Sequence, residues 1–228
     1  MTLQIIPTTE VGYTTYKTTK SGGAVGAGLE DLNAVYLDKK ERGQDITEEK
    51  LDHGITVSIF GDTSNTAFLL RDGDTPIGHL STWTRTKQTA GVFVKPKYQG
   101  LGFGKKLYEV ALQHFGTLYS DNALSEFSAI VWQALSKKHT VKLVFKDKEV
   151  PIVGWVVGKG RMTYPVLKGK DLGLEADEVS LETLFEQARP PKMPAGVTGE
   201  QYDALMADYM NGMKMRSAAE ASRFVAHK

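Results

Sequence analysis

Between Thr89 and Phe115 the chain reads TAGVFVKPKYQGLGFGKKLYEVALQHF, which demands a strand, a tight glycine turn and a helix in immediate succession. Val92 and Val94 alternate as on a half-buried strand, Pro96 stops it, and Leu107, Val110, Ala111 and Phe115 then share one helical face. Between them lies Gln99-Gly100-Leu101-Gly102-Phe103-Gly104. Glycine at every second position opens backbone conformations that a Cβ forbids, so successive N–H groups converge on one point at the helix start. Such a point attracts anions, because a helix N-terminus carries about half a positive charge. Lys105 and Lys106 in the first turn add cationic character that suits a polyphosphate.

Two common phosphate loops do not fit the spacing. A Walker A loop needs Gly, four residues, then Gly-Lys-Ser/Thr, and counting back from Gly104-Lys105 puts Gln99 at the first glycine and Lys106 at the hydroxyl. A dinucleotide fingerprint beginning at Gly100 needs its third glycine where Lys105 stands. The pattern that does fit is Gln/Arg-x-x-Gly-x-Gly/Ala after a strand ending in Val-x-Pro, here Val94-Lys95-Pro96 followed by Gln99, Gly102 and Gly104. It resembles motif A of the GNAT acyltransferases, the loop that holds the pyrophosphate of acetyl-CoA. A glycine-rich turn without a ligand is the plainer alternative.

The chain of 228 residues with 41% hydrophobic content is long enough for one large domain or a domain with an appendage. Its 28 basic and 27 acidic residues leave a formal charge of +1, which gives no sign of a nucleic-acid or anionic-membrane footprint. Absence of cysteine removes disulfides, thiolate metal sites and a cysteine nucleophile, and suits a reducing compartment. The first residues lack a basic segment before an apolar core, and no run reaches membrane-spanning length, so a cytoplasmic location is expected.

In chain order, Leu3 to Pro7 suits a short edge strand, and the glycine-rich run from Ser21 to Gly28 suits a flexible connection. Leu29 to Lys40 reads as a helix through Leu29, Leu32, Val35 and Tyr36. Asp45-x-x-Glu48 reads as a capping box opening a second, short helix that ends near Asp52. Strands follow at Ile55 to Phe60, Thr66 to Arg71, Pro76 to Thr84 and Ala90 to Val94. Gly116 suits the C-cap of the helix after the loop, and Leu118-Tyr119 a short strand. A helix is expected from Asn122 to Lys138, burying Phe127, Ile130, Val131, Ala134 and Leu135, then a hairpin of Val141 to Lys146 and Val150 to Val157.

This order resembles the GNAT fold, a mixed α+β sheet flanked by helices, over roughly residues 1–165. Residues 166–228 read as a helical C-terminal extension: a helix over Val179 to Ala188, a Pro-rich spacer at 189–194, and a last helix opened by Thr198-x-x-Gln201. The last helix bears Tyr202, Leu205, Met206, Tyr209, Met210 and Met213, a stripe that docks on its own domain or on a protein partner.

The resemblance implies backbone contacts from Val92, Phe93 and Val94 to the pantetheine of acetyl-CoA. It implies contacts from Gln99, Gly100, Leu101, Gly102, Phe103 and Gly104 to the pyrophosphate, with Lys105 close by and Asn122 near the cofactor. In the family a Tyr farther along the later helix protonates the leaving thiolate; here that stretch reads Ala129-Ile-Val-Trp132, and an indole is no acid. Tyr119, Ser120 and Ser125 are the nearest hydroxyls, although Ser120 and Asp121 also suit helix caps. For the base that removes the ammonium proton, His79 is the first candidate and Asp121 the second. The other histidines show no ligand spacing, so no metal is expected.

The leading expectation is an acetyl-CoA-dependent N-acyltransferase acting by direct transfer to an amine on a protein or small molecule. The Ser-Asp-x-x-x-Ser pattern from Ser120 is similar to that of GNAT-like proteins encoded by tailed phages, which would put the protein in host cytoplasm or virion. The alternative is a GNAT-like binding or structural module, such as a virion-associated protein docking through its C-terminal helix.

Overall fold

The structure is a computed structural model that describes residues 4–6, 28–121, 123–145, 148–158, 163–187 and 223–228. The chain divides into two compact units, one of Gly12–Asp121, Ala134–Thr140 and Ala226–Lys228, the other of Met1–Val11, Asn122–Gln133 and Val141–Val225. Both follow a mixed α+β plan with mostly antiparallel strands and few helices. Among the described residues no helix is long and apolar enough to cross a membrane.

The first unit begins its described part with α1 (Leu29–Glu41) and continues through β2 (Thr47–Lys50), β3 (Ile55–Gly61), β4 (Asn65–Asp72), β5 (Thr75–Trp83), β6 (Gln88–Val94), α2 (Phe103–Phe115) and β7 (Thr117–Tyr119). Strands β2 to β7 lie side by side in chain order, antiparallel throughout except for the parallel β6–β7 pair. Consecutive residues of a strand face opposite sides of its sheet, and β4 uses this to seat a helix on each. Ala67 and Leu69 pack with Leu29, Leu32 and Tyr36 of α1 and with Phe60, Phe93 lying alongside. Phe68, between them, turns its ring to His114 and Phe115 of α2. Helix α1 thus covers one face and α2 the other. Leu29, Leu32 and Tyr36 are buried as the periodicity requires, while Val35 stays 42% exposed.

The second helix expected from Asp45 to Asp52 is instead strand β2 followed by one 3-10 turn. A segment this short does not nucleate a helix, and the open edge of β3 gives it a ladder from Thr47 opposite Ile59 to Lys50 opposite Thr56. Glu48 does not cap a helix; it accepts a hydrogen bond from the Tyr36 hydroxyl at 3.2 Å. That hydroxyl in turn accepts from the buried guanidinium of Arg71, which lies over the Tyr36 ring and pairs with Asp74. The network ties α1 to β2 and β4.

In the second unit β1 (Gln4–Ile6) pairs in parallel with β8 (Ala123–Ser125). The expected helix from Asn122 to Lys138 is therefore shortened: a strand occupies its first turn, and α3 runs Glu126–Leu135. Among its described side chains Ser128, Ala129, Trp132 and Leu135 are buried, whereas Ile130, expected inside, is 45% exposed and Val131 and Ala134 are half-buried; the Phe127 side chain, also expected inside, lies outside the described residues. The helix is apolar nearly all round, so two stripes satisfy the same period and the bulkiest side chain, Trp132, takes the interior.

Strand β9 (Thr140–Phe145) forms the expected hairpin with β10 (Lys148–Val157), which then pairs with β11 (Thr163–Lys168); β12 (Glu178–Ser180) follows on β11. The extension holds α4 (Gly169–Leu172) and α5 (Leu181–Gln187), with Leu181 and Leu184 buried. It also supplies strands β12 and β13 (Arg223–His227), which the helical reading did not include. Residues 7–27, the spacer at 189–194 and the last expected helix lie outside the described residues.

Candidate active site

The site is built where β6 runs into α2. Past Val94 the chain is pinned by the Lys95 amide donating to the Ile77 carbonyl at 2.8 Å, then makes one 3-10 turn over Pro96–Tyr98. The Gln99 side-chain amide reaches back to the Val94 carbonyl at 2.9 Å and closes the loop on the strand that precedes it. Gly100 (φ +77°) and Gly102 (φ +84°, ψ 0°) adopt left-handed conformations, which explains glycine at those two positions. Gly104 has no such need. A Cβ built on it meets no atom of the described residues within 4 Å, so none of them requires glycine there.

Among the described residues no side chain caps the start of helix α2, and the Lys106 amide bonds the Gly102 carbonyl at 3.1 Å. The amides of Phe103, Gly104 and Lys105 precede that bond and have no carbonyl of their own helix to meet. With the helix dipole behind them they suit an anion. Lys105 and Lys106 do not stand apart from other charges: with Lys138 they gather on Glu109, at 3.4, 3.6 and 3.8 Å. Three ammonium groups share one carboxylate, so the cluster keeps an excess of positive charge beside the loop.

Strand β6 pairs with β5 over its length, with an irregularity at Ser81/Thr82, but meets β7 in register only where Gln88 lies opposite Tyr119. The Tyr119 amide donates to the Lys87 carbonyl and the Asp121 amide to the Thr89 hydroxyl, both at 2.9 Å. Among the described residues the β6–β7 ladder has no pairing beyond this point, and Gly91 to Val94 lead straight into the loop. Val92 and Val94 are half-buried and share the α2 face with Leu80 and Gly78, while Phe93 joins the α1 face.

Ser120 and Asp121 come to the point where β6 and β7 part. Ser120 is fully buried and its hydroxyl donates to the Asp121 carbonyl at 2.8 Å, which suits a chain-turning role. Asn122 lies outside the described residues. His79 sits on β5 opposite Phe93, its ring 6.2 Å from the phenyl centroid. Burial lowers its pKa to about 4, so the imidazole is neutral at ordinary pH. Trp132 is fully buried and stacks on Phe224 at 5.7 Å, a core position. Among the described residues no group of three or more His, Asp or Glu side chains is placed to hold a metal ion.

The His79 shift has a thermodynamic consequence. The unfolded chain binds a proton near pH 6.5 that the folded chain refuses until about pH 4, so stability falls as pH drops through that window and levels off below it. Relative to a His79→Leu variant, the wild-type protein should lose about 3 kcal/mol of unfolding free energy between pH 7 and pH 4. Urea titrations of both proteins at the two pH values check this, and a constant difference between them would contradict it.

Three contributors escaped the sequence reading. Glu109 was legible as the i+4 and i+3 partner of Lys105 and Lys106. The brace from Gln99 to Val94 and the buried hydroxyl of Ser81, which lies on β5 opposite Gly91 of β6, left no pattern to read. Residues 29–130 match the model of the Acetyltransferase (GNAT) family, a span from α1 into α3 that contains the loop and β6. No curated protein and no solved structure matches the chain. The match supports an acyl-CoA N-acyltransferase activity in general terms, and the mixed α+β architecture is consistent with that family's fold.

Proposed function

We propose that the protein transfers an acetyl group from acetyl-CoA directly to an amine held beside it. The observation that carries this is the uncapped start of α2, opening from a loop whose glycines face free space and continuing the edge of β6 that β7 leaves without a ladder. An extended chain ending in a diphosphate fits both parts at once: its amides pair with the strand edge and its charge meets the helix start. The amides of Gly102 to Lys105 would hold the diphosphate, with Gln99 bracing the loop and the lysine cluster supplying long-range attraction. Val92, Phe93 and Val94 would offer backbone groups to the pantetheine. Bound acetyl-CoA supplies an activated thioester carbon.

The chain's own part is positioning. The amine nitrogen forms the new C–N bond as the C–S bond breaks; of the two protons the ammonium loses, one ends on the thiolate and one in solvent. The neutral imidazole of His79 accepts a hydrogen bond from the incoming nitrogen and relays a proton once attack has made that nitrogen acidic. Asp121 is a second group for that relay. The acceptor is an amine on a small molecule or a protein, and cytoplasmic or virion residence, phage origin and docking through the C-terminal segment stay secondary to this reading.

Release of free thiol from acetyl-CoA in the presence of a panel of amines tests the activity. Amine-dependent release is expected. The fold kept as a binding module is favoured by the core position of Trp132, where the family's acid would stand; it predicts cofactor binding with no amine-dependent thiol.

A further inference from the structure

On the α1 face of β5, His79 and Ser81 stand two residues apart and so point the same way. They are 8% and 1% exposed, and among the described residues neither the His79 Nδ1 nor the Ser81 Oγ has a hydrogen-bond partner. A third such atom, Asn33 Oδ1, belongs to α1, the helix packed on this face. His79 is flanked in register by Leu69 and Phe93, both in contact with the α1 cluster, so His79 and Ser81 face the helix that carries Asn33; the buried Arg71 guanidinium, bonded to the Tyr36 hydroxyl, belongs to this same face. Leaving one buried polar atom unpaired is costly; three on this face and its helix call for something to pair them.

All three atoms can accept hydrogen bonds: the imidazole nitrogen in the tautomer protonated at Nε2, the hydroxyl oxygen and the amide oxygen. Their complement is a group rich in donors, and a primary ammonium has three. A carboxylate brought to the same place would face acceptors. The face also has an approach from solvent. Gly91 lies opposite Ser81 on β6 with its missing side chain on this same face; it is exposed, and a Cβ there meets no atom of the described residues within 4 Å.

We propose that this face is the acceptor site, that it takes an unhindered primary ammonium carried on an uncharged chain, and that the ammonium enters across Gly91 to meet His79, Ser81 and Asn33. This rests on the acetyl-transfer reading and narrows its acceptor. Ser81 and Asn33 are then specificity-determining residues, and Gly91 keeps the entrance open.

The test uses the full chain with n-propylamine and its near-isostere β-alanine, which replaces the terminal methyl by a carboxylate. Calorimetry of acetyl-CoA binding is run in parallel. Thiol release is expected with n-propylamine and at least about tenfold less with β-alanine. Ser81→Ala should raise the KM for n-propylamine about tenfold, the effect of one lost hydrogen bond to a charged group, and leave acetyl-CoA affinity unchanged. Gly91→Val, at a position where a Cβ meets no described atom within 4 Å, should abolish n-propylamine turnover with acetyl-CoA affinity intact. The His79 ring resonances should move on adding n-propylammonium to the wild-type protein and stay fixed in Gly91→Val. Normal turnover in Gly91→Val, an unchanged KM in Ser81→Ala, equal use of the two amines, or no turnover of n-propylamine despite tight acetyl-CoA binding would each overturn the proposal. Absence of acetyl-CoA binding would overturn the broader reading and this one with it.

Discussion

Gly104→Val should weaken acetyl-CoA binding by about 100-fold or more while leaving the fold at least as stable, the signature of a glycine kept for a ligand. The residue is in the first turn of α2 with ordinary helical backbone, and a Cβ built on it touches nothing within 4 Å. Replacing Gly by Val inside a helix gains about 0.5 kcal/mol of propensity, so urea unfolding should show a neutral or slightly raised midpoint. The valine methyl groups, however, would occupy the space a phosphate oxygen needs to come within about 2.9 Å of the amides at the helix start. Calorimetric titration of the variant reads the loss directly. Unchanged affinity would mean that the diphosphate lies elsewhere. Gly100 and Gly102 are poorer choices, because their left-handed conformations make any substitution a strain on the loop itself.

Trp132→Ala should cost about 3–5 kcal/mol of stability, the range for emptying a buried aromatic site. The indole is fully buried against the Phe224 ring, so its loss leaves a cavity and an exposed stack together. Trp132→Phe keeps an aromatic partner for Phe224 and should cost clearly less. If the position is structural, the Phe variant also leaves amine-dependent thiol release unchanged. Circular dichroism in urea measures the first effect and the thiol assay the second; a stable Trp132→Ala protein, or a Phe variant that folds and loses activity, would contradict this account of the residue.

How far the chain was legible follows from where its signals are local. The strand, loop and α2 announced themselves, because alternation at Val92 and Val94, the glycines and the stripe from Leu107 are each fixed by nearby residues. Strands β3 to β5 emerged within a residue of their expected ends for the same reason. Failures came where distant partners decide. Asp45 to Glu48 fits a capping box, yet the edge of β3 and the hydroxyl of Tyr36 draw the segment into a strand. Residues Ala123 to Ser125 pair with Gln4 to Ile6, a parallel contact across more than a hundred residues that no window reveals.

The candidate site divides along the same line. The half proposed to bind the diphosphate is one continuous segment, whose strand, loop and helix follow from nearby residues. The proposed acceptor half draws on β5, β6 and α1, where Ser81 and Gly91 mean nothing until register sets them opposite each other. His79 was visible as a candidate base, but only its burial shows that its imidazole stays neutral.

The central claim is that the amides from Gly102 to Lys105 receive a diphosphate at the open start of α2. Calorimetric titration of the full chain with acetyl-CoA, repeated with pantetheine, which has the extended amide chain and no diphosphate, tests it most directly. Saturable one-to-one binding of acetyl-CoA with a dissociation constant on the order of micromolar, and pantetheine weaker by about 100-fold or more, is the predicted result. No heat from acetyl-CoA, or equal affinity for the two, would contradict it.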